Sequence, residues 1–159
     1  MFNDCTSTLR EQNIIDALKL DTIRKNLYDK LKGCDRYPPV ICHGDLSTKN
    51  IIVNSDEIVL IDWDDVQSLC WMADIARLTF WMKLNYNIKS ADAYRKAFFD
   101  CYETEYNKSG FDELENALHV WYGLDYLNFS VGTPNYHYQY ETVKVIFQEA
   151  LTNCGIGVQ

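Results

Sequence analysis

Between residues 6 and 31 the apolar side chains Leu9, Ile14, Ile15, Leu18, Ile23, Leu27 and Leu31 recur mostly at helical spacing among charged neighbours. That pattern predicts one or two amphipathic helices ending near Gly33. It breaks at Asp35-Arg36-Tyr37-Pro38-Pro39-Val40, because proline lacks a backbone donor and steers the residue before it out of helix. A short strand over 40–42 should follow. Two further apolar runs, 51–53 and 58–61, flank Asn54-Ser55-Asp56-Glu57, which predicts a hairpin of short strands. Beyond Asp65 the periodicity predicts helices over 71–84, 91–107, 112–129 and 136–153, with Ser90 and Asp112 as N-caps. Breaks are expected at Asn85-Tyr86-Asn87, Ser109-Gly110 and Gly132-Thr133-Pro134. The predicted order is helix, a small β-loop unit, then a helical bundle, with no internal repeat.

The length of 159 residues suits a single domain spanning 1–159, with chain enough to bury a core. A composition of 47% hydrophobic and 24% charged residues is that of a soluble globular protein. The 14% of aromatic residues fall mostly after Trp63, which predicts a bulky helical core. A formal charge of −8 argues against a nucleic-acid partner, since phosphate backbones attract clustered Lys and Arg. Cys5, Cys34, Cys42, Cys70, Cys101 and Cys154 are scattered without a Cys-x-x-Cys pair, so reduced thiols in the cytoplasm are expected. No secretory apolar core opens the chain and no apolar run approaches the roughly 18 to 20 residues that span a bilayer, so no membrane partner is expected.

Two polar clusters interrupt this scaffold. His43-Gly44-Asp45-Leu46-Ser47-Thr48-Lys49-Asn50 follows the first strand, and Leu60-Ile61-Asp62-Trp63-Asp64-Asp65 ends the hairpin. Both lie at strand ends or on adjoining loops, where polar groups converge without being buried unpaired. Magnesium bound together with nucleotide phosphates takes only one or two protein side chains, because phosphate oxygens and water fill its shell. Asn50 and Asp62 suit that role. Asp45 then remains free to orient or deprotonate a hydroxyl nucleophile.

The spacing His43-x-Asp45-x-x-x-x-Asn50, then a hairpin, then Ile61-Asp62, resembles the kinase catalytic signature. Glycine at 44 in place of arginine, and Asp62-Trp63-Asp64 in place of Asp-Phe-Gly, make it similar to the aminoglycoside phosphotransferase and choline kinase branch. Without that arginine, control by activation-loop phosphorylation loses its anchor. Met72-Ala73-Asp74-Ile75-Ala76-Arg77 resembles the Asp-Leu-Ala segment of that family, in which an Asp braces the catalytic loop. Asp74 takes that position. The matched stretch runs over 39–81.

The resemblance implies an α+β, mostly α fold: a protein kinase-like C-terminal lobe whose small β hairpin carries the catalytic and metal-binding loops. It implies Asp45 as catalytic base, His43 as the residue that holds the loop, and Asn50 and Asp62 as the cofactor-binding and magnesium ligands. Asp64 offers a second acidic contact to metal-bound water. Ser47 stands where protein kinases carry a phosphate-contacting lysine, and Lys49 is out of register with it. ATP and Mg2+ are the implied cofactors, and transfer of the γ-phosphate to a hydroxyl of a small molecule is the implied activity. The later helices carry Asp92, Asp100, Glu103, Glu105, Asp112, Glu113, Glu115 and Asp125; such a face would suit a cationic acceptor, although a solvated exterior is the simpler reading.

Other chemistries fit less well. The apolar strand ending in Asp62-x-Asp64 resembles the nucleophile motif of haloacid-dehalogenase phosphatases, but that fold requires further parallel strands where this chain supplies helices. His119 and His137 lack the His-Glu-x-x-His spacing of a zinc site and read as core or surface histidines. No Gly-x-Ser-x-Gly elbow is present. Gly155-Ile156-Gly157 cannot open a phosphate-binding helix and reads as a flexible tail. The aromatic run Tyr136-His137-Tyr138-Gln139-Tyr140 reads as a helix start with one buried face.

Kinase-like enzymes also clamp the nucleotide with a β-rich lobe carrying a lysine and its glutamate partner. The residues before His43 are helical in pattern, without a glycine-rich turn, so that lobe is expected to be absent. Positioning accounts for roughly 7 to 11 kcal/mol of barrier reduction in well-oriented reactions, so little turnover is expected of the isolated chain. A partner chain bearing the missing lobe, or self-association, would then complete it. The competing reading is a non-catalytic lobe or fragment that serves as a binding module.

Overall fold

The computed structural model describes residues 6–86, 88–102, 109–133 and 139–157. In order the elements are α1 (Ser7–Glu11), α2 (Ala17–Leu31), β1 (Val40–Cys42), β2 (Ile51–Val53), β3 (Ile58–Leu60), β4 (Gln67–Leu69), α3 (Met72–Asn85), α4 (Ile88–Cys101), α5 (Ser109–Gly132) and α6 (Tyr140–Asn153). Short 3-10 turns occupy Lys32–Arg36 and Thr48–Asn50. The chain is thus mostly helical with a small β component, and it divides into two compact units. One unit joins Met1–Gly33 to Asn116–Gln159; the other is Cys34–Glu115.

In the first unit, α2 begins where the Asp16 carboxylate accepts from the backbone N–H of Leu18 and Lys19 at 3.0 and 3.2 Å, a cap that typically contributes about 1 kcal/mol. Leu20, Ile23 and Leu27 are buried at three- and four-residue intervals, while Leu18 is 78% exposed. Leu18 sits roughly 180° around the helix from Leu27, so its hydrophobicity lies outside the stripe. The start of α1 is held by the Asn128 side chain, whose Oδ1 accepts from Thr8 and Leu9 N–H at 3.0 and 3.2 Å. α6 buries Val143, Ile146, Phe147, Ala150 and Leu151 along one face. A Cβ on Gly123 of α5 would lie 2.9 Å from Phe147 Cδ2, so glycine permits a close helix approach there.

The end of α6 departs from expectation. Gly155 takes the left-handed conformation at φ +63°, Ile156 N–H donates to Leu151 O at 3.0 Å, and Gly155 N–H donates to Thr152 O at 3.0 Å. These are the two bonds of a Schellman cap, and Ile156 is buried, so this segment is a docked helix stop rather than a flexible tail.

In the second unit β1 pairs antiparallel with β4, Ile41 opposite Ser68, and β2 pairs antiparallel with β3, Ile52 opposite Val59. The hairpin turn is closed by Asn54 N–H donating to Glu57 O at 2.9 Å. α3 buries Met72, Ala73, Ile75, Ala76, Leu78 and Phe80. Beside it Trp71 stacks on Phe111 and Tyr102, and Phe99 packs on Phe111 with ring centroids 4.8 Å apart.

Several boundaries differ from the sequence expectation. α4 begins at Ile88, so Ser90 lies inside the helix, and α5 begins at Ser109, so Ser109-Gly110 starts a helix rather than breaking one and Asp112 is not its cap. Phe111 is buried in the aromatic cluster and Gly110 lies against the Tyr37 hydroxyl, so this segment is helical despite its glycine. α6 is described from Tyr140; His137 and most of the aromatic run before it lie outside the described residues, as do 103–107 of the expected 91–107 helix. Among the described residues no helix is long and apolar enough to cross a membrane.

Candidate functional site

Both polar clusters fall in the second unit. β1 delivers the chain into His43, and Gly44 turns it at φ +83°, a conformation that L side chains rarely adopt. A Cβ at Gly44 would lie 2.0 Å from the Asp65 carbonyl oxygen. Only glycine fits, which is the physical reason that arginine cannot occupy this position. The turn is fastened by Asp74, in the first turn of α3, whose carboxylate accepts from His43 N–H at 2.6 Å and from Gly44 N–H at 3.0 Å.

His43 is buried with both ring nitrogens engaged. Nε2 donates to Ile61 O at 2.8 Å and Nδ1 accepts from Asp45 N–H at 3.4 Å, a pattern that assigns the proton to Nε2. Its ring also packs on Trp63 at 4.7 Å between centroids. The histidine therefore ties the first cluster to the strand end of the second, and neither nitrogen is left to exchange a proton with a substrate.

Asp45 is joined to Asn50 through Asn50 Nδ2, which donates to Asp45 O at 2.9 Å and reaches Asp45 Oδ2 at 3.4 Å. Asn50 backbone O accepts from Ile61 N–H at 3.1 Å. That bond extends the β2–β3 ladder and sets Asn50 beside the residue that precedes Asp62. With its Nδ2 committed, Asn50 keeps its side-chain oxygen as an acceptor. Asp62 is exposed and left-handed at φ +65°, a conformation Asp tolerates better than most residues. Asp64 and Asp65 are also exposed.

The sequence reading missed Arg77. Its Nη2 and Nε donate to Asp45 Oδ1 at 2.8 and 3.3 Å, in an ion pair whose side chains are 13% and 19% exposed. The available signal was position: Arg77 is three residues after Asp74, on the same face of α3, so a helix that braces the loop through one residue can reach it through the other. Lys49 Nζ stands 3.7 Å from Asp45 Oδ2 on the solvent side, and Ser47 Oγ is fully buried with no hydrogen-bond partner among the described residues.

The acids of the later helices do not form one open face. Arg95 engages Asp112 and donates to Glu115 at 2.9 Å, and Lys96 holds Asp100 at 2.6 Å. Glu115 is buried and also accepts from the Thr79 hydroxyl at 2.7 Å. Burial pushes its carboxyl above the usual range, against the opposing pull of Thr79 and Arg95. His119 is buried, and among the described residues no three His, Cys, Asp or Glu side chains cluster as a metal cage. A cavity of about 560 Å3 lies in the first unit, among Ile14, Ile23, Leu127, Phe147 and Leu151, and includes none of the residues around Asp45.

A model of the phosphotransferase enzyme family matches residues 7–114, which includes both polar clusters and the α3 segment that supports them. No curated protein matches the chain. A match over more than half of the sequence, centred on the loops that gather Asp45, Asn50 and Asp62, places this chain in the phosphotransferase enzyme family, with the aminoglycoside phosphotransferases and choline kinases.

Proposed function

We propose that this chain is the C-terminal lobe of a kinase-like small-molecule phosphotransferase, and that it serves transfer of the ATP γ-phosphate to a hydroxyl acceptor. The observation that carries the reading is the bonded set Asp45–Asn50–Ile61, which gathers a carboxylate, an amide oxygen and the Asp62 strand end at one place. Asn50 and Asp62 would hold magnesium. The donor set fits: both offer oxygen, the Asp62 carboxylate has no hydrogen bond or ion pair among the described residues, and two protein ligands are what a phosphate-bound magnesium takes. When bound, the ion would offset charge on the phosphate oxygens.

Asp45 accepts the hydrogen bond of the acceptor hydroxyl and draws its proton. Arg77 fixes the direction of that carboxylate, and His43 and Asp74 hold the turn on which it sits. The acceptor is a small molecule, and a cationic one would suit exposed acids of the later helices such as Asp92 and Glu113.

Completion of the site calls for a nucleotide-clamping lobe on another polypeptide segment or chain. Ile41 on β1, and Val53 and Ile58 on the β2–β3 hairpin, are 80%, 68% and 71% exposed, apolar side chains that such a partner could cover. The direct test is the thermal midpoint with and without millimolar ATP and magnesium, using Asp62→Asn as control. A rise in midpoint that the substitution abolishes supports the assignment. No rise in either protein refutes metal-nucleotide binding by this lobe alone and leaves the binding-module reading.

A further inference from the structure

The first unit leaves open space that the phosphotransfer reading does not use. Protein interiors pack as densely as organic crystals, with few voids larger than a water molecule. Yet a cavity of about 560 Å3 remains between the Ile14-Ile15 turn, Ile23 of α2, Leu127 of α5 and one side of α6. That volume lies within the roughly 300–1,000 Å3 of small-molecule sites. On α6 the lining forms two rows. Tyr140, Lys144, Gln148 and Thr152 recur every four residues and are polar, while Phe147 and Leu151, also four apart, are apolar. Positions four apart build a ridge along a helix surface, so a polar ridge runs beside an apolar one. Ile23, Leu127, Phe147, Leu151 and Ile156 are buried and make the apolar floor.

We propose that this cavity binds a medium-chain alkyl carboxylate, with its head group at Lys144 and its tail along Phe147, Leu151 and Ile156. Charge selects the head group: Lys144 is the one charged side chain among the described lining residues, and no carboxylate joins it there. Its pair with Glu141 is stretched to 4.0 Å, and Glu141 is 79% exposed, so that contact holds the ammonium weakly. Shape selects the tail. From Lys144 to Gly155 the lining follows α6 and its cap for roughly 16 Å at 1.5 Å per residue, the length of an extended twelve-carbon chain. The Schellman cap closes the apolar end, because it turns Ile156 back onto Leu151.

Bulk electrostatics oppose this preference. With a formal charge of −8, the chain as a whole attracts cations. A carboxylate that binds better than a cation of equal tail length must therefore be recognised locally.

The test is calorimetric titration of the full chain with dodecanoate below its micellar range, beside dodecyltrimethylammonium, a cationic amphiphile with a tail of the same length. The expected result is saturable one-to-one binding of dodecanoate, tighter than that of the cation. Lys144 is 45% exposed, so Lys144→Gln keeps the fold and decides the matter by itself. It should weaken dodecanoate binding about fivefold, the size of one partly exposed charge contact, without weakening that of the cation. Ile14→Trp, at a position 38% exposed on the edge of the cavity, should abolish binding by filling the space. Equal affinity for the two amphiphiles, undiminished dodecanoate binding in Lys144→Gln, or a ligand-free dimer that Ile14→Trp dissociates overturns the proposal.

Discussion

Replacing Asp74 with Asn tests whether α3 holds the His43–Asp45 turn in place. The wild-type carboxylate accepts two backbone N–H bonds, from His43 at 2.6 Å and Gly44 at 3.0 Å. An amide of the same shape has one oxygen, so at most one bond survives, and its NH2 would face a second donor. Hydrogen bonds to a charged group contribute about 1.5–3 kcal/mol each, and an orphaned amide adds a desolvation cost of similar size. The substitution should therefore lower stability by about 3 kcal/mol, a large fraction of the roughly 5–15 kcal/mol typical of a folded domain. Denaturant unfolding, followed by hydrogen exchange at the His43 and Gly44 amides, reads both the global and local terms. A loss under about 1 kcal/mol with those amides still protected would refute the bracing role of Asp74.

Gly44→Ala combines a left-handed φ of +83° with a Cβ 2.0 Å from a backbone oxygen, and should cost at least about 3 kcal/mol in denaturant unfolding, with collapse of metal-nucleotide binding. For the Arg77–Asp45 pair, a double-mutant cycle with Arg77→Met and Asp45→Asn should give a coupling of about 1–2 kcal/mol, discounted for partial exposure; additive losses would show that the pair contributes nothing. Glu115 is held above its ordinary value of 4.5 mainly by burial, so its contribution is fully present below 4.5 and is lost as pH rises through its folded value. Glu115→Gln should flatten the stability decline on that rising limb, and an unchanged pH profile of the melting midpoint would contradict it.

How much of this was legible in the sequence depends on whether local pattern or tertiary contact decided each feature. The helical stripes of α2, α3 and α6 followed from periodicity because each buries one face, whereas the hairpin followed from the turn formers Asn54–Glu57 between two apolar runs, although neither β2 nor β3 has a buried residue. β4 was missed because Gln67-Ser68-Leu69 has no alternation of its own; it is a strand only through pairing with β1. Ser109-Gly110 reads as a break in the sequence but is helical in the fold, where Phe111 packs in the aromatic cluster. At the site, spacing singled out His43, Asp45, Asn50 and Asp62, and the fold gathers the first three through hydrogen bonds and sets Asp62 directly after the bonded Ile61. Arg77 was not singled out, since its partner is 32 residues away in sequence.

Each sheet of the second unit has only two strands, and each strand only three residues. Isolated two-stranded ribbons are marginal in water, so the free energy needed to open β2–β3 locally is small compared with that of opening α3. Asn50 and Asp62 flank that ribbon, so local opening of it would change their relative placement. A ligand that bridges them binds only the fraction of molecules with the ribbon closed, and its apparent affinity falls in proportion to that fraction. Any partner that adds a strand or an apolar cover to this ribbon would raise the fraction and tighten ligand binding without touching the ligand.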